Sequence, residues 1–434
     1  MEGGGEASGA MVPVNNNDSS SEDEGDTKDD DIQQKFDTAL PAKHTYLGDL
    51  EEVRGRIVLD DGSLQTIPIL PQPGVVLVPG QTLPLTVFYP PTVSMLRRSI
   101  NTDRIFGVIC IKYVNSSPAT IANVGTTAEI YEFQDEESDF GFRIKAKGRQ
   151  RFRVIESNRQ VDGNIIAKVK ILPEVILPDP LKEIKHLSLN RLRQFKNLQQ
   201  WSCLNARDAV QTRWPIWVYM QYQTEYLIPR IMHHLQHVSS GRSNVAIPKD
   251  PVELSFWVAQ NLPIVDEQRL RLLSINSAVQ RLRLELCILE RCKLFCCSDC
   301  GTIVARKRDV FPMSVEGPQG TYVNPGGYVH ETMTLYKVQG LELLSEEPDT
   351  EYSWFPGYGW TIAQCRQCHK HMGWKFTAVK KGLKPDTFWC LCRRSLAPKL
   401  SPQDDDDETM LVIQQSAILT HGGKGQRKTR HSML

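Results

Sequence analysis

The chain has 434 residues, of which 40% are hydrophobic, and this length accommodates two or three domains with cores of their own. Lysine plus arginine and aspartate plus glutamate number 51 each, which excludes a global electrostatic attraction to nucleic acid or to an anionic membrane. No run of about 18 apolar residues and no secretory signal peptide occurs, so we expect an intracellular protein with no membrane insertion and no direct nucleic-acid contact.

The two ends of the chain are poor in apolar residues. Residues 1–40 are rich in Gly, Asn, Ser and acidic side chains, as in DSSSEDEGDTKDDD, and bury too little apolar surface to offset the entropy of ordering. Residues 401–434 begin with the acidic run Asp404–Glu408 and end in GGKGQRKTRHSML. We expect both segments to be disordered; the final basic cluster is either a nuclear-import sequence or a solvated tail.

The segment 41–180 has the pattern of a β domain. Short apolar runs separated by Gly and Pro lie at residues 75–78, 83–88, 105–111 and 128–133. In FGFRIKAKGRQRFRVI, apolar and basic residues alternate on both sides of residues 148–150. This alternation predicts a hairpin that turns at Gly148 and has one solvent-exposed face.

The segment 181–291 is predicted to be helical. Apolar residues follow one another at spacings of three and four from Leu272 to Leu289, which predicts one amphipathic helix with Asp266 as its N-cap. The stretch 214–238 is apolar on more than one face, and Pro229 is predicted to divide it into two short helices. A surface this apolar often contacts another protein.

Cysteines are concentrated in the C-terminal third of the chain. Seven of the 11 lie between Cys287 and Cys368, and among them Cys297-Ser-Asp-Cys300 and Cys365-Arg-Gln-Cys368 are separated by 64 residues. Two such Cys-x-x-Cys units complete a closed tetrahedral zinc site with no open position for water. The sequence therefore predicts one structural Zn²⁺, whose binding helps to fold the segment 292–400.

Other metal and redox interpretations of these residues are weaker. Cys296, His369 and His371 lie beside the two units and leave a three-cysteine, one-histidine site as an alternative. A redox role of either unit is disfavoured, because a thioredoxin-like motif begins a helix within a βαβ unit. The histidines at 233, 234 and 237 have no nearby carboxylate or cysteine and are more simply surface residues of a helix.

Large aromatic residues cluster around the second cysteine pair. SWFPGYGW, residues 353–360, precedes it and HMGWKF, residues 371–376, follows it. Trp374 and Phe376 alternate along a predicted strand and point to the same side. These aromatics either fill a core or form the wall of a pocket, and a rigid metal site nearby favours the pocket.

Several stretches of the chain are similar to one known family. YVNPGGYVHETMT, SWFPGYGWTIAQC and HMGWKFTA resemble the thalidomide-binding (CULT) domain of the cereblon family. VLVPGQTLPLTVF, FGVIC, GTTAEIY and KGRQRFRV resemble the Lon-protease N-terminal domain that the family carries. The resemblance covers roughly residues 40–400 in the same order.

The resemblance implies an α+β multidomain fold. Its parts are a β-rich Lon N-terminal-like domain at 41–180, a helical bundle with Lon-like C-terminal helices at 181–291, and a zinc-stabilised β-tent (CULT) domain at 292–400. The four cysteines of the two Cys-x-x-Cys units match the zinc ligands of the family.

The resemblance also implies a ligand pocket. Trp354, Trp360 and Trp374 match a three-tryptophan cage for a cyclic imide, and Phe376 matches its base. Burial in a dry aromatic cage gives a favourable free energy of transfer for a flat uncharged ring. The same burial is unfavourable for an open-chain carboxylate, because its charge would have no partner.

The rim of this pocket is implied in the same way. Backbone groups around Tyr352 are expected to bind the imide, and Asn324 and Pro325 are expected to line the rim. Tyr352 and Gly326 stand where we expect histidines of the family. These two departures put the response to thalidomide-like drugs and the choice of drug-induced substrates in doubt.

The function implied by the resemblance is that of a non-catalytic substrate receptor in a cullin-RING E3 ubiquitin ligase. The receptor would bind proteins with cyclic-imide degrons, and small-molecule imides, and present the proteins for ubiquitination and proteasomal degradation. Its helical bundle would dock the damaged-DNA-binding adaptor protein of the ligase. The resemblance implies a location in cytoplasm and nucleus.

Three other functions compete with this interpretation. TFWCLCRRSL places Cys390 where methionine-R-sulfoxide reductases, which share the β-tent, have a nucleophile, but the residues around it differ. Aromatic cages also bind methylated ammonium groups, and Glu351 beside the cage would complement their charge. Lon-like proteolysis is disfavoured because no Gly-x4-Gly-Lys-Ser/Thr phosphate loop is present.

Overall fold

The structure is a computed structural model that describes residues 35–112, 120–134, 141–184, 188, 191, 198–239, 245–262 and 264–400. The predictions of disorder for residues 1–34 and 401–434 lie outside these ranges. Within them, no helix is long and apolar enough to span a membrane.

The helices of the described chain are mostly short. They are α1 (Ala39–Ala42), α2 (Pro90–Asn101), α3 (Leu198–Ala209), α4 (Ile216–Met220), α5 (Thr224–His234), α6 (Gln236–Ser239), α7 (Pro251–Asn261), α8 (Asp266–Ser274) and α9 (Ala278–Arg291).

The strands form two groups separated by the helices. The first group is β1 (Glu51–Glu52), β2 (Leu64–Pro73), β3 (Thr82–Val87), β4 (Ile105–Lys112), β5 (Thr120–Ile121), β6 (Val124–Gln134), β7 (Phe142–Arg159) and β8 (Ile165–Ile171). The second group is β9 (Cys292–Cys297), β10 (Ile303–Arg306), β11 (Gln319–Val323), β12 (Val329–Leu335), β13 (Leu341–Leu343), β14 (Tyr358–Cys365), β15 (His371–Ala378), β16 (Thr387–Cys392) and β17 (Leu396–Leu400).

The first group of strands closes into a barrel. The pairings run β6-β4-β2-β8-β7 and return from β7 to β6, while β3, β1 and β5 extend β7, β6 and β4. Only the β2–β4 pairing is parallel. Because β6 and β7 pair, neither of them is left as an open edge of the sheet. The barrel encloses a core that includes Phe106, Ala128 and Ile144.

The expected hairpin at Gly148 is wrong, because residues 142–159 form one continuous strand, β7. Its first half pairs with β3 and its second half with β8, so neighbours on both sides keep it extended. A Cβ at Gly148 would lie 2.4 Å from the carbonyl oxygen of Val78. Glycine is therefore required here for the close approach of two backbones and not for a turn.

The basic face of β7 was expected to be exposed to solvent, but it is not fully exposed. Lys145 is buried, and its Nζ lies 2.6 Å from Glu132 Oε2.

Three of the four apolar runs predicted as strands lie in β3, β4 and β6. The fourth, residues 75–78, is buried but is not a strand. Its polar groups bind other elements: the amide of Val78 donates to Gln81 Oε1, and the carbonyl of Leu77 accepts from Thr126 Oγ1. An apolar run alone does not distinguish a buried strand from a buried loop.

The single helix expected from Leu272 to Leu289 is two helices, α8 and α9. Between them Ile275 and Ser277 are extended, with ψ of 124° and 126°. Two distant residues bind this break: Val175, which follows β8, donates its N–H to Asn276 O, and Arg151 Nη1 of β7 donates to Asn276 Oδ1. The helical spacing of apolar residues continues across the break because both helices pack on the same core.

Two expected helix boundaries are also wrong. The N-cap of α8 is Val265, and Asp266 is its first residue, where it forms an ion pair with Arg393 Nη2 at 2.6 Å. Pro229 lies inside α5 and does not end it. Leu227 and Ile231 on either side of the proline are buried in the bundle core, and this packing offsets the lost backbone hydrogen bond.

The second group of strands forms two sheets. Their strand orders are β10-β9-β17 and β11-β12-β16-β15-β14-β13, and all pairings are antiparallel. With the barrel and the bundle, this confirms the α+β fold with a C-terminal β domain. Residues 35–40, which were expected to be disordered, pack on this domain, because Phe36 is 7% exposed and lies edge-on against Tyr358 at 5.4 Å.

A buried charged cluster joins the barrel, the bundle and the zinc domain. Glu331 on β12 binds Arg269 of α8 at 2.6 Å and Arg393 at 2.5 Å, and Gln81 of the barrel donates to the same carboxylate at 3.2 Å. Burial alone would raise the pKa of Glu331, but the two arginines outweigh it and lower that pKa to about 2.

We predict that Glu331→Gln destabilises the protein by about 3 kcal/mol at neutral pH, because two buried guanidinium groups lose their shared carboxylate. The contribution of Glu331 is present above its ordinary pKa of 4.5 and is lost as the pH falls toward 2. The difference in thermal midpoint from the wild type should therefore shrink below about pH 4.5. Calorimetric scans with the exposed Glu346→Gln as control test this; equal midpoints at pH 7 would contradict it.

Candidate functional site

The four predicted zinc ligands lie together. The Sγ atoms of Cys297, Cys300, Cys365 and Cys368 are all within 4.8 Å of one another, and they are the one group of potential metal ligands found within the described residues. Cys297 and Cys365 are buried. Cys297 ends β9 in the three-stranded sheet and Cys365 ends β14 in the six-stranded sheet, so the cluster ties the two sheets together.

The two Cys-x-x-Cys units have the same backbone geometry. In the first, Cys297 O accepts from Gly301 N at 3.0 Å and Cys297 N donates to Thr302 O at 2.8 Å. In the second, Cys365 O accepts from His369 N at 2.8 Å and Cys365 N donates to Lys370 O at 2.9 Å. Gly301 and His369 both have a positive φ, of 73° and 56°. Each unit is therefore a tight turn that points two thiols at one point.

The thiol positions fit a tetrahedral zinc ion. Zinc–sulfur bonds of about 2.3 Å place thiolates roughly 3.8 Å apart. The Sγ atoms of Cys297 and Cys368 are 3.6 Å apart, and those of Cys300 and Cys365 are 3.5 Å apart. A hydrogen bond from Thr302 lowers the pKa of Cys300 to about 6, while burial raises the pKa of Cys297, whose proton zinc must displace on binding. The site holds one structural Zn²⁺.

The three-cysteine, one-histidine alternative is wrong. His369 Nδ1 lies 2.9 Å from Glu342 Oε1, and the ring of His371 packs against Trp374 at 4.9 Å. Cys296 lies next to Cys297 in β9 and does not join the cluster. Lys370 Nζ instead supports the site, because it binds Ser298 Oγ at 2.8 Å and the carboxylate of Asp299, and so links the second turn to the first.

A pocket of about 390 Å³ lies on the six-stranded sheet of the zinc domain. It is lined by the seven residues that the family resemblance implied and by Glu351, together with Asp349 and Ile362: Asn324, Pro325, Asp349, Glu351, Tyr352, Trp354, Trp360, Ile362, Trp374 and Phe376. The two aromatic stretches were expected either to fill a core or to form the wall of a pocket. They do both, because some rings are buried in the core and others line this cavity.

Strands β14 and β15 set the floor of the pocket. Trp360 pairs with Phe376 and Ile362 with Trp374 across the two strands, so all four side chains point to one face. Phe376 is 1% exposed and packs flat on Phe388 at 5.2 Å. The floor is therefore an extension of the domain core, and its position is fixed by strand register.

The wall of the pocket comes from the loop before β14. Trp354 stacks on Tyr322 with ring centroids 4.9 Å apart and meets Trp374 edge-on at 4.8 Å. The neighbouring Phe355 and Tyr358 are buried and anchor the loop. Gly357 makes the turn possible with φ at 91°, and a Cβ there would lie 2.7 Å from Leu383 Cδ1.

The rim of the pocket carries the polar groups. Trp360 Nε1 donates to Glu351 O at 2.9 Å, and Trp360 exchanges two backbone hydrogen bonds with Asp349. Tyr352 lines the pocket, is 52% exposed and has a positive φ of 51°. Asn324 Oδ1 accepts from Tyr328 N at 2.8 Å and shapes the opposite side.

Residues behind the wall were missed by the sequence interpretation. Tyr322 supports Trp354, and His330 contacts Trp374 edge-on at 5.0 Å. Burial lowers the pKa of His330 to about 4, so its ring is neutral at physiological pH. Both residues belong to the YVNPGGYVH hairpin, in which Tyr322 pairs with His330. The equal spacing of Tyr322 and His330 from the Pro-Gly-Gly turn is a sequence signal for their pairing. Their contacts with Trp354 appear only in the tertiary fold.

Cys390 is poorly suited to the reductase alternative. It lies in β16 opposite Trp374 and is fully buried. Burial raises its pKa far above that of a free thiol, whereas a nucleophilic cysteine needs a lowered pKa and access to its substrate. Cys392 is also buried, which raises its pKa to about 12.

Comparison with known families divides the chain in two. Residues 66–291 match the model of the ATP-dependent protease La (LON) substrate-binding domain. Residues 293–408 match the model described as Yippee zinc-binding/DNA-binding/Mis18, centromere assembly. The boundary between them coincides with the junction of α9 and β9.

Several curated relatives are similar over nearly the whole chain. Protein cereblon of Danio rerio is 45% identical, over 90% of this chain and 95% of the relative. Protein cereblon of Gallus gallus is 45% identical, over 86% of each chain. Protein cereblon of Xenopus tropicalis is 42% identical, over 92% of this chain and 94% of the relative.

We predict that Cys365→Ser lowers the zinc content from about one ion per chain to nearly none, because a serine hydroxyl is a poor ligand in a four-thiolate site. Cys296→Ser is the matched control, since it changes a buried thiol next to Cys297 that is not a ligand. Elemental analysis of the purified proteins measures both. Retention of zinc by Cys365→Ser, or its loss from Cys296→Ser, would contradict the assigned ligand set.

Proposed function

Because the chain belongs to the cereblon family, we propose that it is a non-catalytic substrate receptor of a cullin-RING E3 ubiquitin ligase. It binds cyclic-imide degrons and thalidomide-like imides in the aromatic pocket and presents the attached proteins for ubiquitination. The observation that carries the proposal is the convergence of Trp354, Trp360 and Trp374 above Phe376 in one pocket of about 390 Å³.

The walls of the pocket suit a flat, uncharged ring. Indole and phenyl faces offer apolar area, and His330 behind them is neutral because burial lowers its pKa to about 4. Transfer of an imide ring into this site gains the free energy of apolar burial without isolating a charge. A ring-opened carboxylate would lose its hydration with no cation within the lining to replace it.

The mouth of the pocket supplies hydrogen-bonding groups. An imide edge presents an acceptor, a donor and a second acceptor, and the backbone around Tyr352 and Trp354 lies next to the cavity. Backbone contacts do not depend on the side chain at 352, so Tyr352 is compatible with imide binding. Gly326 follows the lining residue Pro325 and carries no side chain, which would change the surface that a drug-induced substrate contacts.

The helical bundle is the proposed docking site of the adaptor, a damaged-DNA-binding protein of the ligase. Trp214 and Trp217 are 61% and 62% exposed, beside the exposed Val210. Solvent-exposed tryptophans on neighbouring elements are typical of protein interfaces. With adaptor and substrate bound at different domains, the chain acts by raising the local concentration of the substrate near the ubiquitin-charged enzyme, in cytoplasm and nucleus.

We predict that Trp360→Ala weakens binding of a glutarimide by about thirtyfold, which corresponds to roughly 2 kcal/mol, because it removes one wall of the cage. Calorimetric titration of the full-length, zinc-loaded protein measures the affinity. Trp214→Ala, which removes an exposed tryptophan of the bundle, should leave it unchanged. Zinc content should stay the same in both variants.

Two ligands separate this proposal from its alternatives. The ring-opened acid of the same glutarimide should not bind measurably, because the pocket holds no partner for its charge. A trimethyl-lysine peptide that binds more tightly than the glutarimide would overturn the proposal in favour of a methyl-ammonium reader, for which Glu351 is placed at the rim. Turnover of a methionine-R-sulfoxide peptide that is lost in Cys390→Ser would establish a reductase.

A further inference from the structure

An open groove of about 600 Å³ lies where the helical bundle meets the zinc domain. It is lined by the ends of α5 and α9, the start of β9 and the turn that follows β10. We call it the basic groove, after its four cationic residues Lys293, Arg306, Lys307 and Arg308. It borders the three-stranded sheet, whereas the aromatic pocket lies on the six-stranded sheet, and the two share no lining residue.

The positive charge of the basic groove is not neutralised by its surroundings. Glu290 is the one carboxylate among the described residues that line it, and the guanidinium of Arg230 already binds that group. Lys307 Nζ donates to Leu289 O at 2.7 Å, which fixes it in the wall. Lys293, Arg306 and Arg308 are exposed and form no ion pair with any carboxylate in the described part of the chain. The groove therefore fits an extended acidic segment.

The chain supplies such a segment at the edge of the groove. Leu400, at the end of β17, pairs with Cys292, which lines the groove and precedes Lys293. The acidic run Asp404–Glu408 begins four residues later. Four extended residues span roughly 13 Å, and β10, which carries Arg306, lies two strand spacings from β17, or about 10 Å. The run is long enough to reach every cation of the groove.

We propose that residues 404–408 bind in the basic groove of the same chain. Five carboxylates then meet four cations at the junction of α9 and β9, and the end of β17 is held against the start of β9. The interaction is local in space although the groove and the run are more than 90 residues apart in sequence, since β17 returns the chain to β9. The acidic run thereby covers a surface that would attract other polyanions.

The other acidic segment of the chain is a poorer candidate for the groove. The described chain begins at Lys35, whose amide donates to Lys384 O at 3.2 Å. Lys384 lies in the loop between β15 and β16, at the six-stranded sheet and not at the junction with the bundle. The chain that follows residues 18–31 therefore joins the described fold at the six-stranded sheet, whereas residues 404–408 follow a few positions after the strand beside the groove.

Carbodiimide cross-linking of the full-length, zinc-loaded protein tests the proposal, because it couples carboxylates to amines that are in contact. Peptide mass spectrometry should find Lys293 joined to a carboxylate of residues 404–408. An equal mixture of ¹⁵N-labelled and unlabelled protein should give cross-links within one chain only. Raising the salt from about 0.05 M to about 0.5 M should reduce the yield, because ion pairs at the surface are screened.

Two variants provide matched controls. Arg306→Gln with Arg308→Gln removes two exposed charges from the groove, leaves Lys293 in place and should lower the Lys293 cross-link about threefold. Lys168→Gln with Lys170→Gln removes two exposed charges from β8 and should leave it unchanged. The proposal is overturned if the run couples to Lys168 and Lys170 as readily as to Lys293, if Lys293 couples to residues 18–31 instead, or if the cross-links join two chains.

Discussion

The fold of the zinc domain, residues 292–400, depends on four thiolates that meet at one point. Cys297 ends a strand of one sheet and Cys365 ends a strand of the other, and the two tight turns that follow them bring Cys300 and Cys368 to the same zinc ion. The two sheets also share a buried core that includes Phe295, Met333 and Leu391, so the zinc site adds to the packing that joins them. The second pair of cysteines also joins β14 to β15, the strands that carry Trp360, Trp374 and Phe376.

Contacts within the domain hold the pocket in shape. Strand register aligns its floor, and Tyr322 behind Trp354 fixes its wall. Glu331, next to His330 on β12, binds arginines from α8 and from the turn after β16, so the zinc domain is fixed to the bundle and the barrel by buried charge. A site placed on strands and supported by a second layer of aromatic rings loses little conformational entropy on binding.

Residues that are close in sequence were predictable, and residues joined only by the tertiary fold were not. The paired Cys-x-x-Cys spacing specifies zinc by its chemistry, and the family resemblance brought together the residues that line the pocket. The hairpin at Gly148 was wrong because a glycine that permits close backbone approach looks, in sequence, like one that permits a turn. The helix broken at Ile275–Ser277 was predicted as continuous because its apolar spacing persists while Arg151, distant in sequence, binds the break. Tyr322, His330 and the Glu331 cluster depend on contacts that no local pattern reveals.

Hydrogen exchange with and without zinc tests the central claim most directly. Removal of the ion by a chelator should increase exchange in β14 and β15 strongly, because the clamp that holds them is lost, while exchange in the barrel strand β7 stays the same. If the amides of residues 358–365 and 371–378 remain equally protected in zinc-free protein, the thiolate cluster does not hold the pocket together.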